Sequence, residues 1–211
     1  MALQNVAFDT RQDAVRAMGP TPYLFDKYLV RVLRNAFSDP TKLENQSLRS
    51  LMWKAQYAES IIEIEGLNNW KPSTTGRRPA ITVKRDNWTS QRLGINDEAQ
   101  GGFEMDGAGT FEKLWMGSHT IFAISTVPDE SDLLAHEIQR YLDGFSSIIR
   151  AELDMKRVTV AAIGELFEIK EYRQSYATPV TLAAAASDKW KVIEQAPLFN
   201  SAALDMTQLL G

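Results

Sequence analysis

The stretch from Val127 to Leu153, VPDESDLLAHEIQRYLDGFSSIIRAEL, constrains the fold more than any other part of the chain. Leu134, Ile138, Tyr141, Leu142, Phe145, Ile148, Ile149 and Leu153 recur at helical spacings. A helix gathers such positions into one buried stripe, whereas a strand would scatter them over both faces. The opposite side carries Glu137, Gln139, Arg140, Asp143, Ser146, Ser147 and Arg150, and is expected to meet water or a polar partner. Pro128 followed by Asp129, Glu130, Ser131 and Asp132 marks the start. A short polar side chain there can take the free N–H groups, and acids suit the positive end of the helix dipole.

The remainder supplies what this stripe can pack against. Asp9–Met18 is expected to form a short helix ended by Pro20 and Pro22. Tyr23–Phe37 predicts a clearer one, with Phe25, Leu29, Val32, Leu33 and Phe37 inward and Lys27, Arg31 and Arg34 outward; Ser38-Asp39-Pro40 stops it. Thr41–Ala58 fits a short helix through Leu48, Leu51 and Met52, or a loop anchored by Trp53 and Tyr57. From Ser60 the period changes to two: Ile62 and Ile64 alternate with Glu63 and Glu65, a strand with one wet face. Gly66–Arg78 reads as a polar loop, and Pro79–Arg85 as a second strand whose leading proline need not join a ladder. Trp88–Leu93 and Thr110–Met116 are weaker strand candidates around Gly94–Gly109, a Gly- and acid-rich exposed loop within the region 94–117. Ser118–Thr126 is β-branched and aromatic, and is expected as strand running into the long helix.

Beyond the helix, Lys156–Tyr172 and Tyr176–Ser187 predict a hairpin, with Val158 and Val160 opposite Val180, Leu182 and Ala184. The small residues Ala183–Ala186 favour close packing on the helix. From Asp188 the chain reads as an extended or partly helical arm. These elements predict an α+β fold: a mostly antiparallel sheet with a long amphipathic helix over about 129–153 and a shorter one over about 23–37, both on one face. The expected organisation is an N-terminal segment 1–22, a single domain 23–190 and a C-terminal arm 191–211.

No residue pattern asks for catalysis, a metal or a cofactor. The chain has 211 residues and no cysteine, so disulfides and thiolate metal sites are excluded. Its histidines are His119, on a strand, and His136, in HEIQR, which lacks the second histidine of a zinc-protease helix. No serine lies in a Gly-x-Ser-x-Gly turn. Gly101, Gly102, Gly107 and Gly109 form neither a phosphate loop nor a dinucleotide fingerprint. Asp97, Glu98, Glu104, Asp106 and Glu112 lack calcium-loop spacing and suit a solvated acidic loop. A formal charge of −4 disfavours wrapping nucleic acid, though it suits a channel along which a polyanion slides. Arg77, Arg78, Lys84 and Arg85 with Trp70 and Trp88 are the counter-signal; a wet sheet face is the favoured reading. The N-terminus lacks a signal-peptide pattern and no apolar run approaches a membrane span, so a cytoplasmic origin without membrane partners is expected.

Two sets of phrases carry a resemblance. The first is Trp70-Lys71-Pro72, then Arg78 to Arg85 (RPAITVKR), then Ser90 to Ile95 (SQRLGI). The second is Gly117 to Phe122 (GSHTIF), the long helix, and Thr178 to Leu182 (TPVTL). Together, over roughly residues 23–190, they resemble the neck and tail-terminator proteins of tailed bacteriophages, small α+β subunits that close the tail tube. The resemblance implies a virion protein assembled in the host cytoplasm and without catalytic residues. It implies a homo-oligomeric ring, expected as a hexamer, between the tail tube protein and a head-side connector or stopper, with genomic DNA passing through. In such a ring Asp97, Glu98, Glu104, Asp106 and Glu112 are candidates for the lumen or tube-facing loop. Leu204, Met206, Leu209 and Leu210, too apolar for a solvated tail, are candidate subunit contacts. A connector or stopper, a peptide-binding adaptor and a small hydrolase built around His119 stay open as alternatives.

Overall fold

The computed structural model describes residues 22–70, 79–91, 108–169 and 175–193. The first helix, α1, spans Pro22–Ala36, and the second, α2, spans Pro128–Glu152. Six strands follow the chain as β1 Glu63–Gly66, β2 Ala80–Gln91, β3 Ala108–Ser125, β4 Met155–Ile163, β5 Phe167–Glu168 and β6 Tyr176–Ile193. They form one sheet in the order β1-β2-β3-β6-β4, with β5 also paired to β6. β4 and β5 run antiparallel to β6, while β1 lies parallel to β2 with Ile64 opposite Ile81. The fold is α+β. The residues Asp9–Met18 lie outside the described part.

Side-chain alternation explains why both helices share one face. Ile81 and Val83 of β2, Ile121 and Ala123 of β3, and Val180, Leu182 and Ala184 of β6 join one apolar cluster with Phe25, Leu29 and Leu33 of α1 and Leu134, Ile138 and Leu142 of α2. Residues of the opposite alternation on the same strands, Ala80, Ile124 and Ala177, point the other way into a small second cluster with Trp70 and Phe122. Val158 and Val160 oppose Ala184 and Leu182 in the β4–β6 ladder, as the hydrophobic pattern predicts. Ala184, Ala185 and Ala186 are buried. Between α1 and β1 the chain makes three short 3₁₀ turns, Pro40–Lys42, Gln46–Ser50 and Tyr57–Glu59, which bury Leu48 and leave Leu51 inside.

Several expectations are corrected. Pro79–Arg85 and Trp88–Leu93 are not separate elements: one strand, β2, runs through Asp86 and Asn87. Thr110–Met116 and Ser118–Thr126 are likewise one strand, β3, which begins inside the expected loop. Gly117 does not break it. A Cβ there would lie 2.4 Å from the Trp88 ring, so the missing side chain is what lets the indole lie across the strand. Gly117→Ala is therefore expected to cost about 1–3 kcal/mol, the range for overpacking a filled site; an unchanged urea midpoint would contradict that packing. After Ile163 the hairpin strand gives way to a turn and the short β5. β6 continues to Ile193, past the point where an arm was expected.

The α2 stripe is also turned relative to its expected face. Leu134, Ile138, Leu142 and Ile149 are buried, but Phe145 and Ile148 are 40% and 49% exposed. Glu137, expected in water, is 5% exposed. Its carboxylate accepts the backbone N–H groups of Glu44 and Asn45 at 2.9 and 3.3 Å, pinning the turn after α1 to α2. The start of α2 has no side-chain cap from the helix itself, since Val127 occupies the cap position ahead of Pro128. Ser125 serves instead: its Oγ accepts the Val127 N–H at 3.1 Å and donates to Glu130.

By contact density the larger unit comprises Pro20–Thr89 and Trp115–Ala186 and holds both helices and the core. A smaller unit takes in Met1–Gly19, Ser90–Leu114 and Ser187–Gly211. Its described residues are all strand: the last of β2, the first of β3 and the last of β6.

Candidate functional site

A cleft of about 1340 Å³ lies between α1, the turn after β1 and the middle of β2. Helical spacing puts Lys27, Arg31 and Arg34 along its α1 wall, and β2 adds Lys84 and Arg85. Val32, Trp53, Leu67 and Val83 give it an apolar lining. Three acids, Asp26, Glu65 and Glu152, face the five cations.

Arg34 was expected to point away from the fold, but it ties α1 to the sheet. Its Nε donates to the Ile64 carbonyl at 3.0 Å, its terminal nitrogen pairs with Glu65, and its guanidinium lies 5.1 Å from the Trp53 ring centroid. Arg31 lies over the Tyr28 ring at 5.0 Å. The Tyr28 hydroxyl donates to Glu152, joining the two helices; burial and then that carboxylate push the phenol up to about 12. Asp26 keeps Oδ1 buried without a hydrogen-bond partner. Burial raises its carboxyl pKa and Arg85 opposes the rise.

At the other end of the strand order the chain projects a tip. After β4 it runs Gly164-Glu165-Leu166-Phe167-Glu168, all exposed. Leu166 and Phe167 keep 37% and 44% of their surface in solvent, although the Phe167 ring also meets Phe122 edge-on at 6.3 Å. The base is anchored: Gly164 N–H donates to the Pro179 carbonyl at 2.8 Å, and Ile169 N–H to that of Ser175 at 2.8 Å. A Cβ at Gly164 would stand 2.7 Å from the Pro179 ring, so this turn requires glycine. The sequence signal was two acids bracketing two large apolar residues just past a strand, masked by the expectation of one long strand to Tyr172.

His119 does not face the cleft. It is fully buried, edge-on to Phe25 at 4.9 Å and to Trp88 at 5.9 Å, and neither ring nitrogen makes a hydrogen bond. Desolvation lowers its pKa to about 4; the Asp86 carboxylate opposes this, and Arg85 adds to it. The imidazole is therefore neutral at pH 7. Because the folded value lies below the unfolded one, stability is full above about 6.5 and falls as pH drops towards 4, while only the unfolded chain takes the proton. His119→Phe is expected to remove this component. Its urea midpoint should gain on that of the wild type between pH 7 and pH 4.5, and a constant difference between the two proteins would contradict the assignment.

The remaining sequence candidates lie outside the described residues or away from the cleft. Asp97, Glu98, Glu104 and Asp106 lie outside the described residues, as do Arg77, Arg78, Leu204, Met206, Leu209 and Leu210. Glu112 falls on β3, with its side chain outside the described part. Trp70 packs beneath the sheet and Trp88 packs on Phe25, so neither interleaves with Lys84 and Arg85. His136 is exposed on α2. Among the described residues no group of His, Asp or Glu is arranged to hold a metal ion, and no helix is long and apolar enough to cross a membrane. Neither a family model nor a curated protein matches the chain.

Proposed function

We propose that this chain is a structural protein of the bacteriophage head–tail junction. Its copies form a ring that caps the tail tube, joins it to the head-side connector and lets DNA pass through the lumen. One observation carries the reading. Of the phrases that resemble neck and tail-terminator proteins, Ala80 to Arg85 with Ser90 and Gln91 fall on β2, Gly117 to Phe122 on β3 and Thr178 to Leu182 on β6, and these strands are successive neighbours in the sheet; Trp70 falls outside the strands, and residues 71–72, 78 and 92–95 lie outside the described part. Segments from 80 to 182 in sequence thus make one continuous sheet centre, covered by the long helix. A shared sheet centre is what a common fold would keep, whereas chance likenesses have no reason to be contiguous.

A ring needs two different patches on each subunit, one docking on the other in its neighbour. The cleft and the tip supply unlike surfaces. Leu204, Met206, Leu209 and Leu210 add apolar contact at the C-terminus, and Asp97, Glu98, Glu104, Asp106 and Glu112 supply acids to the lumen. Removing residues 200–211 is expected to weaken assembly more than it lowers the melting temperature; equal loss of both would give that segment a core role instead. The adaptor alternative needs a peptide to add to the free edge of β4. Two register shifts in β4, at Met155/Arg157 and Val160/Ala162, irregularise that edge and disfavour it. The reading is tested by omitting the chain from an infection by the virus that encodes it. DNA-filled heads and separate tails are expected to accumulate, and normal yields of joined particles would contradict it.

A further inference from the structure

We propose that the cleft beside α1 receives the Glu165–Glu168 tip of a second copy of this chain, forming the repeating contact of the ring; the inference rests on the ring reading above. The chemistry of the two surfaces is complementary. The tip offers Leu166 and Phe167 between two carboxylates. The cleft offers Trp53, Val32 and Leu67 as an apolar floor, with Arg31, Lys84 and Arg85 at its walls. Burying the two apolar side chains drives the contact, and the rim charges set orientation and register more than strength.

Position argues for the same pairing. The cleft lies at the β1–β2 end of the strand order and the tip follows β4 at the opposite end. They also lie towards opposite ends of α2. Glu152, its last residue, lines the cleft. The tip pairs with Tyr176 and Ala177, next to Thr178, whose hydroxyl bonds Asp132 in the first turns of α2 at 2.6 Å. At 1.5 Å per residue the helix separates Asp132 from Glu152 by roughly 30 Å. A tip cannot reach its own cleft across that distance, so the two surfaces meet only between copies, head to tail.

A nucleic-acid backbone is the competing occupant, and the cleft suits it less well. Asp26, Glu65 and Glu152 would stand against phosphates, and Arg34 already pairs with Glu65. A phosphate chain would also leave Trp53 and Leu67 without an apolar partner. A peptide that carries both apolar and acidic groups uses the whole surface.

The absence of native cysteine makes the test specific. Full-length Asn68→Cys, at the cleft, and Glu165→Cys, at the tip, are mixed in equal amounts and oxidised. The mixed disulfide is expected to exceed both like-site dimers. A tip reversal (Glu168→Lys) and a cleft reversal (Lys84→Glu with Arg85→Glu) are each read by non-reducing gel through the reporter disulfide from Asn68→Cys to Glu165→Cys, which leaves Leu166 and Phe167 in place. Each reversal should cut the yield about tenfold, a 1.4 kcal/mol effect, and both in one chain should restore it. Like-site dimers alone, or no disulfide, would overturn the proposal. So would loss of retention on immobilised DNA in the cleft reversal without any change in the disulfide. The mixed disulfide together with no chain on virions would keep this contact and remove the head–tail assignment; chain at the neck without the disulfide would do the reverse.

Discussion

Replacing Phe25 with alanine is expected to lower the unfolding free energy by about 3–5 kcal/mol, the range for truncating a buried aromatic. The ring is fully buried in α1 and packs edge-on against both Trp88 and His119. Its loss leaves a cavity where α1 meets β2 and β3, and the surrounding side chains are held by strand and helix backbones that cannot close over it. For a domain whose total stability is typically about 5–15 kcal/mol, that is a large fraction. Urea unfolding measures it directly, with a lower midpoint at an unchanged slope. The cavity also opens a path for water to His119, whose burial is what keeps its pKa near 4. In Phe25→Ala that pKa should move back towards 6.5, which NMR titration of the imidazole can follow. A change in stability below 1 kcal/mol would mean that α1 is not seated on the sheet as described.

The second large effect is expected at Glu137. Glu137→Ala should cost about 2–4 kcal/mol: two hydrogen bonds to a charged group at roughly 1.5–3 kcal/mol each set the upper scale, and water reaching the exposed Glu44 end offsets part of the loss. Those donors, Glu44 and Asn45, lie where the 3₁₀ segment crosses α2. Glu137→Gln keeps one carbonyl acceptor and should recover part of the loss. Hydrogen exchange gives an independent readout: the Glu44 and Asn45 amides should lose protection in Glu137→Ala while the strand amides keep theirs. Unchanged protection at these two amides would contradict the anchoring role.

Glu137 also shows where the sequence stops being legible. Periodicity located α1 and α2 to within a residue or two at each end, because apolar spacing and proline act locally. It assigned Glu137 to water and Phe145 and Ile148 to the core from residue type alone. The Glu137 partners lie 93 and 92 residues away, and no local pattern reports them. The same limit explains Gly117. Glycine reads as a break until the Trp88 ring, contributed by a neighbouring strand, is seen to occupy the space it leaves. The parallel β1–β2 pairing was equally hidden, since two adjacent strands carry no mark of their relative direction. Of the candidate site, Lys84 and Arg85 were noted as a basic cluster. The α1 residues that complete the cleft with them were read only as the helix's outer face.

The proposed ring between head and tail can be sought on the particles themselves. The most direct measurement is electron microscopy of particles from an infected lysate, labelled with antibody to this chain and gold. Gold is expected at the junction of head and tail, and averaging there should show a ring of subunits. Gold found nowhere on the particles would contradict the claim.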